Sequence, residues 1–212
     1  MLNYIDSLNW RYATKKYDAS KKVSNVDLET LKEAVRLSVS SVGLQPYKIF
    51  VIESQEMRDK IKLAAGGNNQ NVIADSSAVF VFANELNVGD AQVEAYINNI
   101  SQIRGVAKES IKGFSDYISG FLGGLTEEQK NIWTAKQSYI ALSTLVNAAA
   151  LLHIDTTAME GFNAEELNKI LGLDKLGLNA AVIAAVGYRH EEDAMQHAVK
   201  VRKPKDELFV TL

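Results

Sequence analysis

Two groups of basic side chains lie far apart in the sequence and could bind a single phosphate together. One group comprises Arg11, Lys15 and Lys16, and the other comprises Lys200, Arg202, Lys203 and Lys205. Guanidinium and ammonium groups form charge-assisted hydrogen bonds with phosphate oxygens, so the two groups would act as a phosphate clamp if the fold brought them together. Solvated turns are the more common explanation of such charge runs, and the charges alone favour that explanation.

Three short polar stretches could contact a planar ligand. Ser40 and Ser41 lie in a loop of small residues, and residues 68–71 (NNQN) form a predicted turn; both stretches offer side-chain and backbone hydrogen bonds. Glu160 precedes Gly161, where a glycine lets a ligand approach the backbone and a carboxylate could act as a general base. Taken alone, each stretch is more often a plain turn or surface.

The composition excludes several kinds of chemistry. The chain has 212 residues and no cysteine, which excludes disulfides, thiolate metal sites and cysteine nucleophiles. The three histidines lack metal-site spacing and no G-x-S-x-G elbow occurs, so we predict neither a metal site nor a serine nucleophile. A net charge of −3 argues against nucleic acid as a partner. Redox chemistry would have to come from a cofactor.

The chain is predicted to be one domain over residues 1–212, because its length suits a single core and it has no repeat or linker. Residues 1–18 lack the apolar stretch of a secretion signal. The most apolar stretch, residues 140–154, is interrupted by polar side chains and is too short to span a membrane. We therefore expect a cytoplasmic protein that does not enter a membrane, with a core helix at this stretch.

The apolar periodicity predicts several helices around a few strands. Capping patterns at Ser24, Thr126 and Asn163 begin three helices, and residues 90–121 form one long helix or two. An acidic turn over residues 191–193 is predicted to face solvent. Without βαβ alternation or a G-x-G-x-x-G turn, the pattern favours an α+β fold with a small mixed sheet flanked by helices. Strands are predicted at residues 47–53, 78–83 and 178–186, with residues 208–211 as a candidate fourth.

Taken in order, these segments resemble the nitroreductase family over nearly the whole chain. Residues 11–17 (RYATKKY) resemble the family's R-x-S-x-[KR]-x-[FY] opening. Residues 40–47 (SSVGLQPY) are similar to its S-S-x-N-x-Q-P-W, and residues 69–77 are similar to its N-Q-x(4)-D-A-S. With these matches in register, the phosphate clamp becomes the favoured explanation of the basic groups. Later landmarks match at residues 135–137, 160–162, 186–188 and 200–204.

The resemblance implies a small, mixed and mainly antiparallel sheet flanked by helices, in an intertwined homodimer with two FMN sites at the interface. Arg11, Lys200 and Arg202 would hold the FMN phosphate. Lys15 would lie near the ribityl chain and the N1/O2 edge of the ring, where a positive charge stabilises reduced flavin. The implied cofactor contacts are Arg11, Tyr12, Ala13, Lys15, Val39, Ser40, Ser41, Gly43, Asn69, Glu160, Gly161, Lys200 and Arg202.

Several of these contacts have an implied place around the flavin ring. Ser40 and Ser41, contributed by the other subunit, would contact the pyrimidine end and side of the ring. Asn69 would reach ring or ribityl oxygens, and the peptide N–H groups of Glu160 and Gly161 would lie near N5, the atom that exchanges hydride. No side chain would be catalytic, because the flavin carries the chemistry.

The resemblance also implies an activity. Tightly but non-covalently bound FMN would take electrons from NADH or NADPH and pass them to nitroaromatic, quinone, pteridine or flavin-type acceptors by a ping-pong mechanism. Val42 and Phe114 would line the substrate pocket, although Phe114 could equally be a core aromatic. A flavin store with little turnover, a dehalogenase or a flavin-consuming enzyme remain alternatives.

Four positions depart from the family pattern. Ala13 replaces a serine, Val39 replaces a proline, Gly43 replaces an asparagine beside the flavin, and Val72 stands where some relatives carry a lysine. Fewer polar contacts would weaken FMN binding or shift its redox potential.

Overall fold

A four-stranded antiparallel sheet with helices on both faces organises the chain. The structure is a computed structural model that describes residues 4–212. The strand order is β1-β2-β4-β3, and every paired strand runs antiparallel to its neighbour. The four strands are β1 (Tyr47–Ile52), β2 (Ala78–Glu85), β3 (Asp155–Met159) and β4 (Leu178–Gly187). Three of them lie where the sequence predicts strands.

The central strand β2 is buried on both faces, as its unbroken apolar run predicts. The helices are α1 (Tyr4–Trp10), α2 (Asn25–Arg36), α3 (Gln55–Ile61), α4 (Asn69–Asp75), α5 (Asp90–Arg104), α6 (Lys112–Gly123), α7 (Glu127–Leu151), α8 (Ala164–Leu171) and α9 (Lys205–Leu208). Side chains alternate along a strand, so Phe80 and Phe82 pack into one cluster with α2 and α7, whereas Val79 and Val81 pack into the opposite cluster with α3, α4 and α8.

The capping patterns predict three helix starts correctly. The side chains of Ser24, Thr126 and Asn163 each accept a hydrogen bond from a backbone N–H in the first turn of α2, α7 and α8. The apolar stretch from residue 90 forms two helices, because Gly105 ends α5 in the left-handed conformation. Helix α7 is the predicted core helix: Ala141, Leu145 and Ala149 are fully buried against α2 and the sheet.

Two predicted elements are wrong. The turn at residues 68–71 is instead the start of α4, because the asparagines precede an apolar face formed by Val72 and Ile73. Residues 208–211 form no strand; Leu208 ends α9. The fourth strand is β3, which the sequence pattern does not predict because DTTAM is short and largely polar and lacks an apolar run. A single parallel bridge, between Ala13 and Thr156, adds a mixed element to the sheet.

Within residues 4–212, no helix has both the length and the hydropathy that crossing a membrane requires.

Candidate functional site

Three cations from distant parts of the chain meet in one small pocket. Arg11, Lys200 and Arg202 line it together with apolar residues of α1, and the Lys200 ammonium donates a hydrogen bond to the Arg11 carbonyl, 189 positions away. We call these three residues the basic cradle. Within residues 4–212, none of the three forms an ion pair with a carboxylate. One residue of the first basic group and two of the second therefore meet in the fold, whereas Lys16 pairs with Glu192 instead.

The basic cradle carries uncompensated positive charge. Burial and the nearby charge of Arg202 lower the pKa of Arg11, and burial together with Arg11 and Arg202 lowers the pKa of Lys200. The Arg11 Nε is buried and has no hydrogen-bond partner in the described part of the chain. Mutual repulsion and an orphaned donor are both relieved by an anion, so the donor set fits a phosphate group.

Asp193 fastens residues 12–16 beside the cradle. Its Oδ2 accepts hydrogen bonds from the backbone N–H of Lys15 at 2.7 Å, from that of Lys16 at 3.2 Å and from the Tyr12 hydroxyl at 3.0 Å. Its Oδ1 accepts the N–H of Met195 at 3.0 Å. The prediction of a solvent-facing acidic turn is wrong at this position, because Asp193 is only 3% exposed. A signal was present, since an aspartate often caps a following helical turn.

A second buried carboxylate holds the same segment from the other side. Asp155 in β3 accepts two side-chain hydrogen bonds from Arg189, at 2.9 and 2.6 Å, and also its backbone N–H at 2.9 Å. Asp155 further accepts the hydroxyl of Thr14 at 3.2 Å. The Arg189 guanidinium stacks on Trp10 and Tyr12, 4.2 and 4.6 Å from their ring centres. These contacts position the backbone from which Arg11 and Lys15 project.

The charge of Asp193 makes the stability of this region depend on pH. Burial alone would raise the pKa of Asp193, but the N–H groups of Lys15, Lys16 and Met195 outweigh it and hold that pKa below its usual value. A carboxyl with a lowered pKa contributes stability that is fully present above its unfolded-state pKa and is lost as the pH falls through its folded-state pKa.

We therefore expect Asp193→Asn to lower the free energy of unfolding by about 1.5–3 kcal/mol at pH 7, the range for hydrogen bonds to a charged group. The difference in the free energy of unfolding between wild type and variant should narrow as the pH falls below about 4, the unfolded-state pKa of aspartate, and vanish below the lower folded-state pKa. Urea denaturation across this pH range measures it, with the exposed Glu191→Gln as the control. A gap that stays constant with pH would contradict this role.

A turn between β3 and α8 brings three predicted contacts together. The Gly161 carbonyl accepts hydrogen bonds from the N–H of Gly66 at 3.1 Å and the side-chain amide of Asn69 at 3.2 Å. The Glu160 carboxylate accepts the hydroxyl of Tyr139 at 2.7 Å, and burial with this bond raises the pKa of Tyr139 to about 12. Glu160 and Gly161 are exposed, so this turn is accessible from solvent.

Ala13 and Lys15 connect the cradle to this turn. Ala13 forms its bridge with Thr156, on the strand that leads directly to Glu160. The Lys15 carbonyl accepts the side-chain amide of Asn68 at 3.0 Å, just before α4, and the Lys15 side chain is exposed. These contacts therefore tie the segment that follows Arg11 to the strand before Glu160 and to the start of α4.

The loop of residues 39–43, here called the serine loop, forms its hydrogen bonds elsewhere in the chain. The Ser40 hydroxyl oxygen accepts the N–H of Gln45 at 2.9 Å, and the N–H of Ser41 donates to the side chain of Gln137 in α7 at 2.8 Å. Val39 is 74% exposed. No hydrogen bond or ion pair joins residues 39–43 to the basic cradle anywhere in residues 4–212. The predicted contacts thus form two groups that share no hydrogen bond or ion pair within the described part of the chain.

Of the two predicted pocket residues, Val42 belongs to the serine loop and Phe114 lies on α6. Val42 packs against the α5–α6 cluster, and Phe114 makes an edge-on contact with Tyr96, with ring centres 6.3 Å apart. Phe114 is 39% exposed, which excludes the alternative of a core aromatic. Gly43 and Tyr96 both line a cavity of about 560 Å³ between α2, β1 and α5.

Comparisons of the sequence with known proteins relate this chain to one protein family. The family model described as "Nitroreductase family" matches residues 8–188. A relative from Staphylococcus haemolyticus named "Putative NAD(P)H nitroreductase" is 34% identical over 216 residues, covering 97% of this chain and 95% of its own.

Two solved structures have a very similar fold. A "putative NAD(P)H:FMN oxidoreductase" from Staphylococcus epidermidis has a TM-score of 0.87 at 24% identity, covering 100% of this chain and 97% of its own. A "putative nitroreductase in complex with FMN" from Exiguobacterium sibiricum has a TM-score of 0.85 at 18% identity, covering 100% and 98%.

Proposed function

Because this chain belongs to the Nitroreductase family, a family of oxidoreductases, and has its fold, we propose that it is an FMN-dependent enzyme that oxidises NADH or NADPH and reduces small-molecule acceptors. The observation that carries this proposal is the convergence of Arg11, Lys200 and Arg202 with no carboxylate to neutralise them within residues 4–212. An FMN-bound solved structure with the same fold supports the choice of cofactor.

The residues of the cradle would hold the phosphate of FMN. Their charge-assisted hydrogen bonds, together with the orphaned Nε of Arg11, would anchor the cofactor tightly without a covalent bond. Asp193 and Asp155 act indirectly, because they fix the backbone of residues 12–16 from both sides. Lys15 would extend from this fixed backbone toward the ring edge, where its charge favours the anionic reduced form.

The turn at Glu160 would direct its backbone N–H groups toward the reactive edge of the ring. The hydrogen bonds to the Gly161 carbonyl and from Tyr139 to Glu160 fix the orientation of this turn. FMN, when bound, supplies reversible hydride transfer between the nicotinamide and the acceptor. Val42 and Phe114 would form a wall of the space that the two substrates enter in turn, as a ping-pong mechanism requires. Nitroaromatic, quinone, pteridine and flavin-type molecules are the proposed acceptors.

A homodimer would unite the two groups of site residues. Because the serine loop lies apart from the cradle in one chain, a second copy is needed to bring Ser40 and Ser41 to the flavin held by its partner. Much apolar surface is exposed in the part of the chain that the structure describes, as a large interface requires. It includes Tyr139, Ile140 and Leu151 on α7, Leu152 directly after it, and Val199, Val201, Leu208, Phe209 and Val210 near the C-terminal end of the chain.

The segment after the cradle is the proposed arm that packs on the partner. Phe209 is 66% exposed within its own chain. Burying a phenylalanine is worth about 1.5–3 kcal/mol, and a two-fold dimer would bury two copies. We therefore expect Phe209→Asp to weaken the dimer at least about 100-fold, measured by sedimentation velocity. The control is Val26→Asp, an equally exposed apolar position on α2. Unchanged dimerisation of the Phe209 variant would exclude the arm.

Absorbance spectroscopy of the purified protein tests the activity. We expect a yellow dimer whose absorbance near 450 nm, roughly that of oxidised flavin, is bleached by NADPH or NADH without oxygen and restored by a nitroaromatic or quinone. A colour that is indifferent to both nicotinamides would instead indicate a flavin store. A colourless protein that does not take up added FMN would refute the proposed cofactor.

A further inference from the structure

The Tyr96 hydroxyl occupies the space that a side chain at Gly43, in the serine loop, would fill. Gly43 has a φ of +75°, which favours glycine, and a Cβ built on it would overlap the Tyr96 hydroxyl oxygen and lie 3.1 Å from the Tyr96 Cζ. The phenol therefore occupies the space into which any larger side chain at position 43 would project. The glycine at residue 43 therefore leaves room for the tyrosine hydroxyl at residue 96.

The Tyr96 hydroxyl is held in place but is not used by the protein. Its ring makes the edge-on contact with Phe114 and packs in the α5–α6 cluster beside Val42. The hydroxyl has no hydrogen-bond partner within residues 4–212, and the residue lines the cavity shared with Gly43. A fixed polar group without a partner, at the wall of a cavity, is suited to recognising a ligand.

We propose that Tyr96 is a specificity-determining residue whose hydroxyl donates a hydrogen bond to a nitro or carbonyl oxygen of the electron acceptor. This inference rests on the proposed function, in which Val42 and Phe114 form the acceptor wall, because Tyr96 contacts that wall directly. It selects acceptors whose reducible group carries an oxygen over purely apolar ones. Gly43 is required because a side chain there would displace the hydroxyl.

The first test removes the hydroxyl and keeps the ring. For Tyr96→Phe we expect the KM for nitrobenzene and for 1,4-benzoquinone to rise roughly 2- to 12-fold, as for one neutral hydrogen bond. FMN content and the rate at which NADPH bleaches the protein should stay at wild-type values. The Kd of nitrobenzene for the oxidised, FMN-loaded protein without reductant, by calorimetry, should rise by the same factor. The control is Tyr117→Phe, an exposed tyrosine on α6.

The second test examines the shared space. Gly43→Ala should displace the hydroxyl and reproduce the rise in KM of Tyr96→Phe, and the double variant should show no further rise. In urea denaturation, Gly43→Ala should cost less stability when residue 96 is phenylalanine, because the overlap with the hydroxyl oxygen is then absent and only the 3.1 Å approach to Cζ and the backbone strain remain. This readout needs no cofactor.

Additive effects in this cycle, or wild-type KM and Kd in Tyr96→Phe, would overturn the inference while the protein remains an active oxidoreductase. A changed dimer dissociation constant with an unchanged KM would overturn it too, since the hydroxyl would then serve the interface. A wild-type protein that binds no flavin would refute the proposed function itself, and the inference with it.

Discussion

Arg202→Ala is expected to strip most of the FMN from the purified protein while leaving its fold and dimer intact. Arg202 is exposed, and its guanidinium bonds only its neighbouring backbone carbonyl, at 2.6 Å. Within residues 4–212, this side chain forms no other hydrogen bond and no ion pair whose loss would destabilise the fold. In the proposed complex it contributes a charge-assisted hydrogen bond to phosphate, worth about 1.5–3 kcal/mol. The Kd of FMN should rise roughly 10- to 100-fold.

Fluorescence titration of FMN into the apoprotein measures this Kd, and thermal unfolding of the apoprotein measures stability. Arg104→Ala is the matched control, because Arg104 is an exposed arginine in the last turn of α5 and its loss changes the net charge equally. The affinity of wild-type protein should fall with added salt more steeply than that of the Arg202 variant. Full flavin occupancy in Arg202→Ala would count against the phosphate assignment.

Asp155→Asn is expected to produce the largest loss of stability, about 3 kcal/mol in the free energy of unfolding. Asp155 is 3% exposed and pairs with Arg189, which is 20% exposed. Removing one partner of a buried ion pair costs about 3–5 kcal/mol, because the other charge is left without compensation. Partial access of Arg189 to water places the expected loss at the lower end.

Urea denaturation of the apoprotein at pH 7 measures this loss. Asp116→Asn is the control, since it breaks an exposed pair with Lys112 one helical turn away and should cost less than about 0.5 kcal/mol. The folded fraction of Asp155→Asn should also bind FMN more weakly, because residues 12–16 lose one of their two anchors. Losses of equal size in the two variants would mean that the Asp155–Arg189 pair is not a structural anchor.

Local signals predicted the elements that obey local rules. The cap at Thr126 is formed by residues three positions apart, and the unbroken apolar run of β2 reflects burial on both faces, so both are visible in one short window. Strand β3 is not predicted because the side chains of its buried polar residues Asp155 and Thr157 form their hydrogen bonds with partners far along the chain. Burial of that kind depends on tertiary contacts.

The candidate site divides in the same way. Residue types alone left Arg11 and Lys200 as either a clamp or two solvated turns, and only the order of family-like motifs favoured the clamp. Asp193 was misjudged because its four hydrogen-bond donors come mainly from residues 12–16, far along the chain. The sequence does not single out Tyr96, because its proximity to Gly43 depends on the tertiary fold and no spacing rule detects it.

The long sequence separation within the cradle has a consequence for biosynthesis. Arg11 leaves the ribosome early, whereas Lys200, 189 positions later, emerges only after the strands and helices between them have been translated. A nascent chain consequently cannot bind a phosphate with all three cradle residues until nearly all of its residues have left the ribosome. Binding of FMN would therefore be a late step, after most of the polypeptide has been synthesised. Chains that terminate before Lys200 would lack part of the basic cradle, so excess FMN would not restore their binding.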